Sequence, residues 1–322
     1  MSLPDAALTR RRFIKVSAAA AIAVLAAGCI EHAAKPVHDP QLIAGLSPVS
    51  IFAGDDGQAM NWQQLFTAMD MADIVVIGES HTDASGHELQ TEIVKVAVQR
   101  WPGFTLSLEE FDRSQQGYLD DFARGELTGA ELKQTRQFVS MQVKANWEDW
   151  FLPKLTVARD ADAPLLASNA PLKYSRLVRN NGCDNLPELS VAEQALFVCP
   201  SVPVDPAYRE RFGKSFQRAV KGRSDTGLKQ LKDEQIDVLF RAQRVWDATM
   251  ADSIVQARAQ GADKVLHLVG AFHSDYNGGL IQELRARDSE ARILVISLSA
   301  RRVNKLVGRD KGKADVVIYT RS

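Results

Sequence analysis

Hydrophobic residues in this chain gather into short, largely β-branched runs separated by stretches of helical spacing. Ile74-Val75-Val76-Ile77 is wholly apolar and stops at Gly78, the pattern of a strand buried on both faces. Leu89, Ile93 and Val96-Ala97 then recur at helical steps as far as Arg100, with Thr82, Asp83 or Ser85 available as the N-cap. A second strand is predicted over 104–108, after Pro102-Gly103, and strand–helix–strand is the grammar of a parallel crossover. The grammar returns in strands over 164–167, ending at Ser168-Asn169, and 265–269, ending at Gly270. A helix over 279–287 leads into a strand over 293–296, and Val316–Tyr319 forms the last strand. Upstream, a strand over 49–53 meets the turn Gly54-Asp55-Asp56-Gly57, and Asn61 caps a helix running to Met71. Leu239, Ala242, Trp246, Met250 and Ile254 mark a further helix, and the proline-rich stretch 198–206 is irregular. These elements predict an α/β domain over 49–322 with a mostly parallel sheet flanked by helices. Helical insertions at 111–160 and 172–260 would form a lid or a dimer surface, which leaves a homodimer open.

The N-terminus follows another pattern. Thr9-Arg10-Arg11-Arg12-Phe13-Ile14-Lys15 precedes an apolar run from Val16 to Ala27 and then Gly28-Cys29. A bilayer-spanning helix needs about 20 apolar residues, and this run has about a dozen. It reads as an export signal over 1–28, of twin-arginine type, ending in a lipoprotein cleavage site. Cys29 would then carry the lipid, with 29–48 as a flexible tether rich in proline. That address is the bacterial cell envelope, on a membrane and facing the periplasm or the outside. Ile30 after Cys29 is not the aspartate that marks inner-membrane retention in some bacteria, which leaves the outer membrane open.

Charge narrows the partners. The formal net charge is −1, with no basic excess to support a nucleic-acid partner. Besides Cys29, the chain has only Cys183 and Cys199. In an oxidising compartment this pair reads as a disulfide, worth about 3 kcal/mol for a loop of this length in the chain-entropy model; two buried free thiols are the alternative. The spacing does not fit a zinc motif.

Candidate chemistry sits at the strand ends, where open α/β sheets bind their ligands. The strand at 74–77 runs into Gly78-Glu79-Ser80-His81, that at 104–108 into Glu109-Glu110, that at 164–167 into Asn169, and that at 265–269 into Gly270-Ala271-Phe272-His273. The carboxylates of Glu79 and Glu109, two imidazoles and an amide would converge if these strands are neighbours. Glu and His together hold divalent metals and activate water, or act as general acid and base without one. Glu79 and His81 alternate along an extended segment and would share a face, while Gly78 would permit a tight turn and close approach of a ligand. Each residue could instead cap a helix or satisfy a loop, but Glu79, His81, Glu109 and His273 all fall at strand termini. Asp83 reads as a helix cap, His87 as a first-turn residue without a role, His267 as core, and His32 and His38 as solvated.

With Gly78-Glu79-Ser80-His81, Leu108-Glu109-Glu110-Phe111 followed by Gln115-Gln116, Asn169-Ala170-Pro171 and Gly270-Ala271-Phe272-His273 in order, the chain resembles the ChaN-like haem-binding lipoproteins. That family belongs with the Tiki/TraB and erythromycin-esterase-like proteins. The resemblance covers about residues 49–320 and implies a haem-binding lipoprotein of iron acquisition, with an ancestral metal-dependent or esterase-type site. Two positions depart from it. A family-like Tyr-x-Pro is Phe151-Leu152-Pro153 here, and the arginine often found after Asn-x-Pro is Leu172.

Haem needs an apolar slot, an axial donor and cations for its propionates. Trp147, Trp150 and Phe151 share a helical face and would line a slot or pack in the core. Axial candidates are His273, His81, Tyr174 and Tyr276; Lys173, Arg176 and Arg179 are candidate cations, or a solvated helix face. The basic stretch 301–313 would meet anionic lipid or stay solvated. Two functions are therefore in view. In one, a membrane-tethered protein binds haem in a pocket of Glu79, His81, Glu109, His273, Asn169 and Tyr276. In the other, a hydrolase of peptides or esters holds a divalent metal through Glu79, His81 and His273, with Glu79 or Glu109 activating water. An assembly lipoprotein on a degenerate enzyme fold would bind neither.

Overall fold

A computed structural model describes residues 39–136, 141–221 and 232–321 of the 322. The expected export signal, Cys29, His32 and His38 lie outside the described residues. Residues 41–48, expected in the tether, rest on the domain. Gln41–Ala44 is a short helix, Leu42, Ile43 and Leu46 pack on the core, and Ser47 Oγ donates to Glu92 Oε1 at 2.6 Å.

Eight strands form one sheet: β1 (Ser50–Ala53), β2 (Ala59–Met60), β3 (Ile74–Glu79), β4 (Thr105–Asp112), β5 (Leu165–Asn169), β6 (Val265–Gly270), β7 (Ile293–Ser299) and β8 (Val316–Tyr319). Their order is β2-β1-β8-β7-β3-β6-β4-β5, parallel from β8 to β5, with β1 antiparallel to both of its neighbours. β3, β6, β4 and β5 are thus consecutive and parallel, and their carboxyl ends share one rim.

The buried runs of the sequence split between the two faces of the sheet. Val75 and Ile77 point into a core with Leu65, Phe66, Ile93 and Val94. Ile74 and Val76 point the other way, against Met250, Ile254, Leu280 and Leu284. Strand alternation inside a continuous apolar run produces this division. Asn61 caps the Trp62–Met71 helix in a capping box with Gln64. Asp83 occupies the N-cap position of the Ala84–Arg100 helix, but its buried carboxylate accepts from Thr320 Oγ1 at 2.9 Å and makes no cap.

The expected insertion at 172–260 is only partly an insertion. Its last third is the Asp233–Ala259 helix, whose Met250 and Ile254 cover the sheet as the crossover from β5 to β6. The helix Pro206–Lys221 packs outside it, with Phe212 against Phe240 at 5.2 Å. Cys183 and Cys199 are joined by a disulfide beside Tyr174, Val178 and Phe197. No described helix is long and apolar enough to cross a membrane.

Candidate functional site

β3 carries Glu79 as its last residue, almost fully buried. His81 turns back over it, and its Nδ1 donates to Glu79 Oε1 at 2.8 Å. Burial alone would lower the His81 pKa, but the hydrogen bond to Glu79 and the charges of Glu109, Glu79 and Glu110 raise it to about 9. The other oxygen of Glu79 lies 3.1 Å from His87 Nε2. His87 is fully buried, stacked on Trp150 at 4.9 Å. Its Nε2 donates to the His81 carbonyl at 3.2 Å, and its Nδ1 faces Lys154 Nζ at 3.3 Å. A carbonyl can only accept, so Nε2 bears the proton and Nδ1 accepts from the ammonium. Burial and the Lys154 charge hold this imidazole below its ordinary pKa. The sequence reading gave His87 no role.

β4 runs on through Glu109 and Glu110 to Asp112, and its register with β5 slips between Leu108 and Asp112. In a regular strand neighbouring side chains oppose one another. The irregularity re-aims them, so that both glutamates line the same cleft. Glu109 Oε2 accepts from the Gly270 amide. Burial would raise its pKa, but the charges of His273 and His81 outweigh burial and hold it well below the usual carboxylate range. Glu110 goes the other way: burial and the nearby Glu79 charge push it up to about 7. Asn169 donates to the Glu109 carbonyl at 3.1 Å.

His273 sits beyond β6 with both ring nitrogens engaged. Nε2 is 3.2 Å from Glu109 Oε1, and Nδ1 is 2.6 Å from Asp247 Oδ1. Tyr208 donates to the other Asp247 oxygen at 2.9 Å, and Gln243 donates to Tyr208 at 3.0 Å. Burial would lower the His273 pKa, but the two carboxylates lift it to about 10. Asp247, Tyr208 and Gln243 escaped the sequence reading because helical periodicity marks only apolar neighbours such as Trp246.

Gly78 and Gly270 allow this crowding. A Cβ on Gly78 would lie 2.5 Å from Ser274 Oγ and 3.0 Å from Ala271 Cα. Gly78 therefore admits the segment after β6, where the sequence suggested a turn and a ligand. A Cβ on Gly270 would lie 2.9 Å from His81 Nε2 and Cε1.

These groups form the waist of a cleft with two lobes. His81, Glu109, Asn169 and Trp246 line both. The first lobe, about 260 Å³, adds Glu110, Arg136, Phe151 and Leu172. The second, about 400 Å³, adds Phe212, Phe216, Phe272 and His273. Phe151 and Leu172, the two departures from the family pattern, thus face the ligand space directly.

Several expectations change. Tyr276 lines neither lobe; its hydroxyl donates to the Arg309 carbonyl at 2.6 Å. Tyr174 is stacked on Phe197 at 5.1 Å, outside the cleft. His273 does not join Glu79 and His81 as a metal ligand, because its nitrogens are taken up by Glu109 and Asp247. Among the described residues, Glu79, His81 and Glu110 instead each bring a ligand atom within 4.8 Å of the others. Trp147 and Trp150 are core and only Phe151 reaches the cleft. Lys173 pairs with Glu193 at 3.1 Å, and neither Arg176 nor Arg179 lines a lobe. Arg136, whose guanidinium lies 4.7 Å from the Phe111 ring centre, lines the first lobe. His267 is a buried core residue beside Ser107 Oγ at 2.9 Å.

A parallel α/β sheet whose strand ends gather Glu and His around one cleft defines the class. Within it, the chain belongs to the haem-binding uptake family, Tiki superfamily, ChaN, whose model matches residues 65–284. The fold is shared with ChaN of Campylobacter jejuni, a protein with cofacial haem binding. That likeness has a TM-score of 0.61 and 17% identity, over 84% of this chain and 96% of that one. An erythromycin esterase mutant, EreC in its open conformation, is similar with a TM-score of 0.44 and 12% identity, over 77% of this chain and 76% of that one. No curated protein matches the chain.

Proposed function

We propose that this protein binds haem in the two-lobed cleft and serves haem or iron uptake in the bacterial cell envelope, held to a membrane by lipid on Cys29. One observation carries the assignment of the site. His81 Nε2 has no hydrogen-bond partner among the described residues and stands at the waist of the cleft, while Nδ1 is fixed by Glu79 at 2.8 Å. A carboxylate behind an imidazole is the arrangement that orients histidine ligands and raises their basicity, and an imidazole nitrogen is an ordinary haem ligand. Of the four axial candidates in the sequence, His273 is fully engaged and both tyrosines point elsewhere, which leaves His81. Arg136 supplies a guanidinium for a carboxylate of the ligand.

Titration of the purified protein with micromolar haemin is the direct test. A Soret shift that is saturable, and that changes form in His81→Ala, is the expected result; an unchanged Soret band ends the reading. The envelope address is tested separately by palmitate labelling of the full chain, expected to vanish in Cys29→Ala, and by cytoplasmic retention of Arg10→Lys/Arg11→Lys.

The Glu79–His81–Glu110 cluster favours a second reading, a hydrolase of peptides or esters. With Glu110 ionised, the three would hold a divalent ion, which lowers the pKa of a bound water. In that reading Glu79 and Glu110 carry the charge and His81 the nitrogen donor. Metal analysis together with an esterase and peptidase panel decides it: activity surviving Glu79→Ala would remove this site from consideration.

A further inference from the structure

Among the described residues, the second lobe draws its large apolar side chains from four aromatics, with no Leu, Ile, Val or Met beside its polar groups. Phe212 and Phe216, one turn apart on the Pro206–Lys221 helix, stack with ring centres 5.9 Å apart at 27°. Phe272 meets Phe212 edge-on at 6.1 Å and 63°. Trp246 comes from the facing Asp233–Ala259 helix. All four are half-buried, so each is held by packing on one side and borders the lobe on another. A lobe for an acyl chain would be lined by flexible aliphatic residues. Rigid ring planes with two rotatable bonds each instead match a flat ring system, through offset-stacked and edge-on contacts. His81 also lines the lobe.

We propose that Phe212, Phe216, Phe272 and Trp246 form a stacking subsite for a planar macrocycle of porphyrin type, so that the ligand is held by its ring and the metal at its centre adds little to affinity. This rests on the haem reading of the same cleft and goes beyond it, because a metal-free porphyrin must then bind as well.

Quenching of tryptophan fluorescence in the full protein reads the binding of haemin and metal-free protoporphyrin IX, with dodecanoate added as a competitor. Haemin and protoporphyrin are expected to bind within about tenfold of each other, with dodecanoate displacing neither. Phe212→Leu/Phe216→Leu, which keeps apolar volume and removes the rings, is expected to weaken both porphyrins by about tenfold. His81→Ala should alter the haemin spectrum. Haemin bound equally well by the leucine double variant overturns the stacking subsite and leaves the haem reading standing, as does haemin bound with protoporphyrin refused. Displacement of either porphyrin by dodecanoate also overturns the subsite. Protoporphyrin bound with haemin refused overturns the haem reading and keeps the subsite; refusal of both removes both. Should the double variant lose its far-ultraviolet circular dichroism, Phe216→Leu alone carries the same comparison.

Discussion

His273 and Asp247 face one another across the buried side of the cleft, Nδ1 to Oδ1 at 2.6 Å, with Glu109 at 3.2 Å on the opposite edge of the imidazole. One cation between two carboxylates in a dry setting fixes the ring in place. Tyr208 and Gln243 fix the carboxylate in turn. The segment after β6 is thereby tied to the Asp233–Ala259 helix. Removing one member of such a set leaves an uncompensated buried charge. Asp247→Asn should therefore cost about 3–5 kcal/mol in urea denaturation. A loss below about 1 kcal/mol would mean that the pair does not organise this wall.

The same histidine sets a pH dependence whose sign follows from its raised pKa. The folded form holds the proton up to about 10, against an ordinary 6.5. The stabilisation is complete below about pH 6.5 and is lost as pH rises through the folded value, at up to about 1.4 kcal/mol per pH unit. Urea midpoints at pH 7, 8, 9 and 10 should fall for the unaltered protein and fall less for His273→Gln. Parallel curves for the two would assign the dependence to another group.

How far the sequence reached is visible in particular residues. The strands were legible because β-branched runs ending in glycine have few other uses, and Glu79, His81, Glu109 and Asn169 were legible because they follow those apolar runs directly. Asp247 and Tyr208 were not, since a polar residue inside an amphipathic helix looks the same whether it meets solvent or a buried imidazole. His87 was hidden by its position in a first helical turn, where polar residues are ordinary. Tyr276 was drawn into the pocket by its closeness to His273 in sequence. Its backbone, at φ 54° and followed by Asn277 at 56°, turns the chain away from the cleft. The joint aim of Glu109 and Glu110 depends on a slipped register in β4, which alternation alone cannot foresee.

The disulfide between Cys183 and Cys199 closes a loop over 16 residues of separation beside Tyr174 and Phe197. Its main effect is to restrict the unfolded chain, worth about 3 kcal/mol for such a loop. Reduction with dithiothreitol and the double variant Cys183→Ser/Cys199→Ser should lower stability by similar amounts. Thermal unfolding of the oxidised, reduced and double-serine proteins checks this; identical midpoints for all three would show that the bond contributes nothing in solution.

Gly270 offers the sharpest probe of the cleft because it touches the waist without supplying a side chain to it. A Cβ there would come within 2.9 Å of His81 Nε2 and Cε1 and 3.3 Å of Glu109 Oε2. Its φ is not in the left-handed region, so alanine brings no backbone strain and β6 can keep its pairing with β3 and β4. The imidazole is the group that must move, and it is held by Glu79. Gly270→Ala should then cost about 1–3 kcal/mol, as overpacking does. It should also abolish the His81-dependent change in the haemin spectrum while the fold persists by circular dichroism. A variant that folds and gives the unaltered spectrum would show that His81 Nε2 takes no part in binding.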